Sequence, residues 1–126
     1  IITGAPQNSQ AASSAWHTAS AAIQAGHEVV RVFLHGDGVH LAGPCPVSRD
    51  PANNWHSKWS DLVLTHNIPA TACVGSASRR GLVDEREAGR QSLTANIFDG
   101  WTLGGLGDWA EAEYQADRIV HFQSDG

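Results

Sequence analysis

The residue in this sequence best placed to do chemistry is Cys73. It closes a short apolar run, Ile68 to Val74, and gives way to Gly75 and Ser76. If that run is a strand of a parallel sheet, its carboxyl end is where reactive groups gather. Backbone N–H groups of the turn that follows would point toward the sulfur. Arg79 and Arg80 add positive charge one or two turns on. Both effects favour a thiolate, and thiolates in such settings have pKa values lowered to about 3.5–7.5. The chemistry is then nucleophilic or sulfur-carrying. The competing reading is a small buried hydrophobe in a strand, a common place for cysteine. Position alone leaves both open.

Other residue groupings carry weaker signals. Cys45 lies between Pro44 and Pro46 in a loop that should reach the same edge of the sheet. It either resolves an oxidised form of Cys73 or is an incidental surface thiol, and the incidental reading is preferred; distance decides between them. His35, His40 and Cys45 share a loop, but their spacing fits no zinc pattern. His66 and His121 sit near element ends, where histidine is usually half-solvated. No metal site is expected. Gly36-Asp37-Gly38 lacks the third glycine of a dinucleotide fingerprint and follows the wrong strand. Gly104-Gly105-Leu106-Gly107 precedes a helix and could cradle an anion, although close packing explains it as well. Asp84, Glu85 and Glu87, interleaved with Arg86 and Arg90, read as a solvated, salt-bridged helix face.

The elements that must position Cys73 follow from periodicity. Ile1 to Thr3 is strand-like and stops at Gly4-Ala5-Pro6. Ser9 or Ser13 is a candidate cap for a helix carrying Ala15, Trp16, Ala19, Ala22 and Ile23, closed by Gly26. Val29 to Leu34 suits a strand covered on both faces. Trp55, Trp59, Leu62 and Val63 mark a second helix by their i, i+4, i+7 and i+8 spacing. Ile68 to Val74 is the next strand, and Ser76 to Gly81 a helical turn or tight loop. Asp84 to Gln91 is a polar helix, and Ile97 to Thr102 a strand or an irregular link. Asp108 to Ala116 is a helix and Asp117 to Phe122 a final strand. Alternation of this kind predicts an α/β fold with three layers, α/β/α, and a mostly parallel five-stranded sheet.

Size and charge bound the function. The chain has 126 residues, which fits one domain over residues 1–126 able to fold without disulfide or metal staples. Hydrophobic residues make up 41% and charged residues 17%, a globular balance that excludes a disordered chain. No apolar run is long enough to span a bilayer, and no secretory leader is visible. With only two cysteines, the expectation is a soluble, cytoplasmic protein with free thiols. Ile1 and Ile2 read as the tail of a buried strand, which puts a few residues upstream. A net charge of −5 repels phosphate backbones, so no direct nucleic-acid partner is expected.

Taken together the motifs resemble the DsrE/TusD sulfur-relay family. The resemblance is carried by Gln10-Ala11-Ala12-Ser13-Ser14-Ala15, Gly26-His27-Glu28, Val32-Phe33 and Gly38-Val39. Its strongest stretch is Cys73-Val74, then Arg79-Arg80-Gly81-Leu82-Val83-Asp84-Glu85 and Glu87-Ala88. Leu103 to Gly107, Glu111-Ala112 and Ala116-Asp117-Arg118 complete a match over essentially the whole chain. The first-helix wording is closer to the TusD branch. The resemblance implies a flavodoxin-like, DsrE-like subunit with its working cysteine at Cys73 and no cofactor. It also implies TusB- and TusC-like (DsrH- and DsrF-like) partners in a heterohexamer, a TusA-like sulfur donor and a TusE/DsrC-like acceptor. The sulfur would end as the 2-thio group of a tRNA wobble uridine. Alternatives are the same chemistry serving dissimilatory sulfur oxidation, a non-catalytic assembly subunit, and, on fold analogy alone, a flavin module.

On this reading Gly75, Ser76, Arg79 and Arg80 support the cysteine. The two arginines either dock an acidic partner or pair with Asp84 and Glu85. Cys45 has no counterpart in the family pattern and inherits no role. Five tryptophans exceed what one small core needs, so Trp101 or Trp109 is a candidate for a subunit interface, the alternative being ordinary core packing.

Overall fold

The computed structural model describes residues 1–44 and 51–124. In chain order these form α1 (Ala11–Gln24), β1 (Val32–Leu34), a 3-10 segment (Gly36–Ala42), a short 3-10 turn (Pro51–Asn53), α2 (Trp55–Thr65) and β2 (Ala70–Cys73). Then come α3 (Val74–Ser78), α4 (Glu85–Gln91), β3 (Thr102–Gly104) and α5 (Leu106–Gln115).

All three strands are parallel, in the order β1-β2-β3, with Val32 opposite Ala70 and Cys73 opposite Gly104. Alternation sends Val32, Leu34, Ala70 and Ala72 into the core shared with α1 and α2, where Trp59 donates its indole N–H to the Ala12 carbonyl at 2.9 Å. The alternate residue Phe33 meets Trp109 of α5, ring centroids 5.6 Å apart. Helices therefore cover both faces of a small sheet.

The expected five-stranded sheet is corrected to three strands. Segments 1–3 and 117–122 meet it only through single bridges, Ile2 with Leu34 and Ile2 with Phe122. Gly4 turns the first segment away at once. The spot is crowded, since a Cβ there would lie 2.6 Å from Ser9 Oγ. In the last segment Ile119 and Val120 are exposed, so little but Phe122 gains from joining the sheet. Residues 97–101 are irregular because Gly100 takes φ +97°, outside the extended range. β1 is also shorter than the run beginning at Val29. Its ladder with β2 starts at Val32–Ala70, just after Pro69, which has no N–H to donate.

The helices follow the sequence more closely. Gly26, at φ +89°, ends α1 as expected. The cap at its start differs: Gln10 is the N-cap and caps with no side chain. Ser13 donates to the Gln10 carbonyl instead, and Ser9 accepts from Ala11 N–H at 3.3 Å. Asn54 and Asp84 cap α2 and α4 through their side-chain oxygens.

Candidate active site

Cys73 ends the middle strand, and three strand-to-helix connections converge around it. After β1 comes the segment Gly36–Ala42, after β2 the α3 helix, and after β3 the turn Gly104–Asp108. Cys73 is buried, 9% exposed, and occupies the N-cap position of α3. Its thiol makes no cap hydrogen bond of ordinary geometry. The surrounding dipoles still act on it. Burial pushes the thiol pKa up, but the Ser76 N–H, the Ser76 hydroxyl, the Gly75 N–H and the Arg79 charge outweigh burial, leaving it below the ordinary thiol value.

Ser76 is itself buried and tied into the neighbouring connection, since its Oγ accepts from Gly36 N–H at 3.0 Å. Arg80 holds the same turn from outside. It donates Nη1 to the Ser76 carbonyl at 3.0 Å and Nε to Asp37 Oδ1 at 2.9 Å. So Arg80 pairs with Asp37, and neither Asp84 nor Glu85 as the sequence suggested; those acids cap or lie on the separate helix α4. Arg79 remains exposed. Gly75 leaves the sulfur uncovered on its side: a Cβ there would sit 4.0 Å from Cys73 Sγ. Val74, which follows Cys73, and Leu106, two residues past its strand partner, are exposed apolar side chains.

The glycine cluster after β3 proves to be a packing device. A Cβ on Gly104 would overlap the Asp108 carboxylate and lie 2.7 Å from the Thr71 methyl. Asp108 Oδ2 already accepts from Gly105 N–H at 3.1 Å, so the chain's own carboxylate occupies the place an anion would take.

Sequence reasoning missed three contributors. Gly36 and Asp37 were read only as a failed nucleotide motif. His56 is buried and donates Nε2–H to the His40 carbonyl at 3.0 Å, anchoring the 36–42 segment to α2. Burial holds its pKa below the ordinary value, helped by the His40 charge and opposed by that hydrogen bond. No periodic signal marks such long-range ties. Trp101, a candidate for an interface, is instead buried against Trp59 with centroids 6.3 Å apart, and Trp109 is half-buried on Phe33. Cys45 lies outside the described residues. Among the described residues, no group of three or more His, Cys, Asp or Glu side chains could hold a metal ion. No helix among them is long and apolar enough to cross a membrane. A cavity of about 700 Å³ lies at the opposite end of the strands, lined among others by Val29, Val30, Trp109 and Val120, and Cys73 is not part of it.

Comparison with known proteins agrees with this arrangement. The chain is 40% identical over 126 residues to "Sulfurtransferase TusD" of Salmonella newport, a match covering 97% of this chain and 96% of that protein. Its fold is similar to that in the crystal structure of the ychN protein from E. coli, with a TM-score of 0.71 at 24% identity over 97% of this chain and 96% of the other. The family model described as DsrE/DsrF-like matches residues 1–122, which include the β2–α3 junction and all three strands. With nearly its whole length matched, the chain belongs to the DsrE/DsrF-like family.

Proposed function

We propose that Cys73 carries sulfane sulfur as a persulfide and passes it between protein thiols. The chain is a sulfurtransferase subunit working within a sulfur relay, in keeping with the relative named TusD. The single observation that carries the reading is the thiol at the β2–α3 junction, where N–H groups, a hydroxyl and Arg79 outweigh burial in favour of the thiolate. The Cys73 thiolate attacks the terminal sulfur of a donor persulfide. A new S–S bond forms on Cys73 as the donor's S–S bond breaks, and the donor cysteine leaves as thiolate with the electron pair. The reverse attack by an acceptor thiolate returns Cys73 to its starting state. Sulfur moves with no net oxidation, and the steps call on no metal or organic cofactor.

Gly75, Ser76, Arg79 and Arg80 support the cysteine on this reading. TusB- and TusC-like subunits would complete the assembly, a TusA-like protein would donate and a TusE-like protein would accept. The product would be the 2-thio group of a tRNA wobble uridine. The net charge of −5 fits a chain that touches proteins and leaves the RNA to others. A non-catalytic assembly subunit is the second reading, favoured by the burial of Cys73.

The test is intact mass after exposure to a protein persulfide donor, for wild type, Cys73→Ser and Cys45→Ser. One added sulfur, removed by thiol and missing only in Cys73→Ser, is the expected result. No added sulfur on the wild type, even with partner subunits present, establishes the assembly reading.

A further inference from the structure

We propose that the Ser76 side chain is a positioning residue for the Cys73 sulfur: its hydroxyl, oriented by the Gly36 amide and latched by Arg80 and Asp37, donates its proton toward Sγ. The inference rests on the relay reading of Cys73 for its purpose, though not for its geometry. Ser76 stands three residues after Cys73, so the two side chains share one face of the first turn of α3. Its oxygen accepts from Gly36 N–H at 3.0 Å, which uses a lone pair and leaves the O–H as the group still to be placed. With Ser76 only 3% exposed, that proton has little water to reach, and the sulfur is its neighbour. A hydroxyl that accepts one hydrogen bond donates the next more strongly.

The latch fixes where this happens. Arg80 bridges the Ser76 carbonyl and the Asp37 carboxylate, so Ser76 is tied to the 36–42 segment through side chain and backbone alike. The charged groups around the sulfur are few. Arg79 is exposed on α3's end, Arg80 is neutralised by Asp37, and Asp108 is turned onto Gly105 N–H. His35, next to Gly36, is exposed. Against that sparse field, a buried hydroxyl donor is a strong local influence.

The experiment is the pH dependence of Cys73 alkylation by iodoacetamide in a Cys45→Ser background, for Ser76→Ala and for Arg80→Lys. The lysine keeps the charge and loses the fork that spans Asp37 and Ser76. Ser76→Ala should raise the alkylation midpoint by about one pH unit, the tenfold that one hydrogen bond to a charged group is worth. Arg80→Lys should raise it by less. An unmoved midpoint in a folded Ser76→Ala overturns the proposal. If Ser76→Ala does not fold, an unmoved midpoint in Arg80→Lys overturns it. A shift in Ser76→Ala alone keeps the hydroxyl's role and discards the latch. Sulfur uptake by the same proteins separates the two readings. A raised midpoint in a chain that never takes sulfur removes the relay and leaves the positioning; uptake with an unmoved midpoint does the reverse.

Discussion

The two ends of the same three strands are built on different terms. At the carboxyl end, three connections are cross-tied by Gly36–Ser76, Asp37–Arg80 and Asp108–Gly105 hydrogen bonds around a buried thiol. At the amino end lies an open cavity of about 700 Å³, flanked by exposed Ile119 and Val120. Arg31 crosses there to Thr71 Oγ1 at 2.6 Å, and its buried Nε has no partner. The larger space is therefore at the looser end, and the smaller, fully tied one holds the nucleophile. Pre-organised polar groups mark the reactive place better than volume does.

The largest effect that would sharpen this contrast is at the sulfur itself. Cys73→Ser should lose all sulfur uptake by intact mass while melting like wild type, since the replacement is nearly isosteric. Next comes the packing beside it. Gly104→Ala forces the Asp108 carboxylate off Gly105 N–H, and should cost about 1–3 kcal/mol in denaturant unfolding and slow sulfur uptake. A variant as stable and as fast as wild type would show that the tight turn after β3 is ornamental, and the contrast would fail.

Acid should loosen the carboxyl end through His56. Its pKa is lower folded than unfolded, so below the ordinary value of about 6.5 the unfolded chain binds a proton that the folded chain resists. Stability is complete above that pH and is lost as pH falls toward the folded value. Thermal melts across pH 7 to 5 should therefore fall, and should fall less in His56→Gln. The smallest effect belongs to the amino end. Arg31→Met should cost about 1 kcal/mol, through the Thr71 hydroxyl it leaves behind, and should transfer sulfur at the wild-type rate. Lost transfer in that variant would break the distinction between the two ends.

How much of this was legible in the sequence depends on how local each feature is. The α1 and α2 stripes, the Gly26 stop and the strand ending at Cys73 all rest on spacing within a few residues. Each stood close to its expected place. The width of the sheet did not, because a strand exists only where a neighbour pairs with it. Ile2 and Phe122 find one partner residue apiece, and Pro69 and Gly100 shorten two runs whose apolar residues looked longer. Arg80 illustrates the same limit at the site. The sequence offers Asp84 and Glu85 a few residues away, while the fold delivers Asp37 from 43 residues upstream. Asn96 likewise binds Val83 N–H and the Gly81 carbonyl across a stretch with no periodicity at all.

The Gly36 amide reaches Ser76 across 40 residues of chain. Its consequence lies in the life of the protein before it is finished. A chain still emerging from synthesis has β1 and β2 unpaired, so Ser76 has no Gly36 to orient it and Cys73 is an ordinary, mostly protonated thiol. Its nucleophilicity arrives with the native topology. An immature chain is thereby spared premature capture by stray oxidants or sulfur donors, and reactive cargo is loaded only on molecules that have already folded.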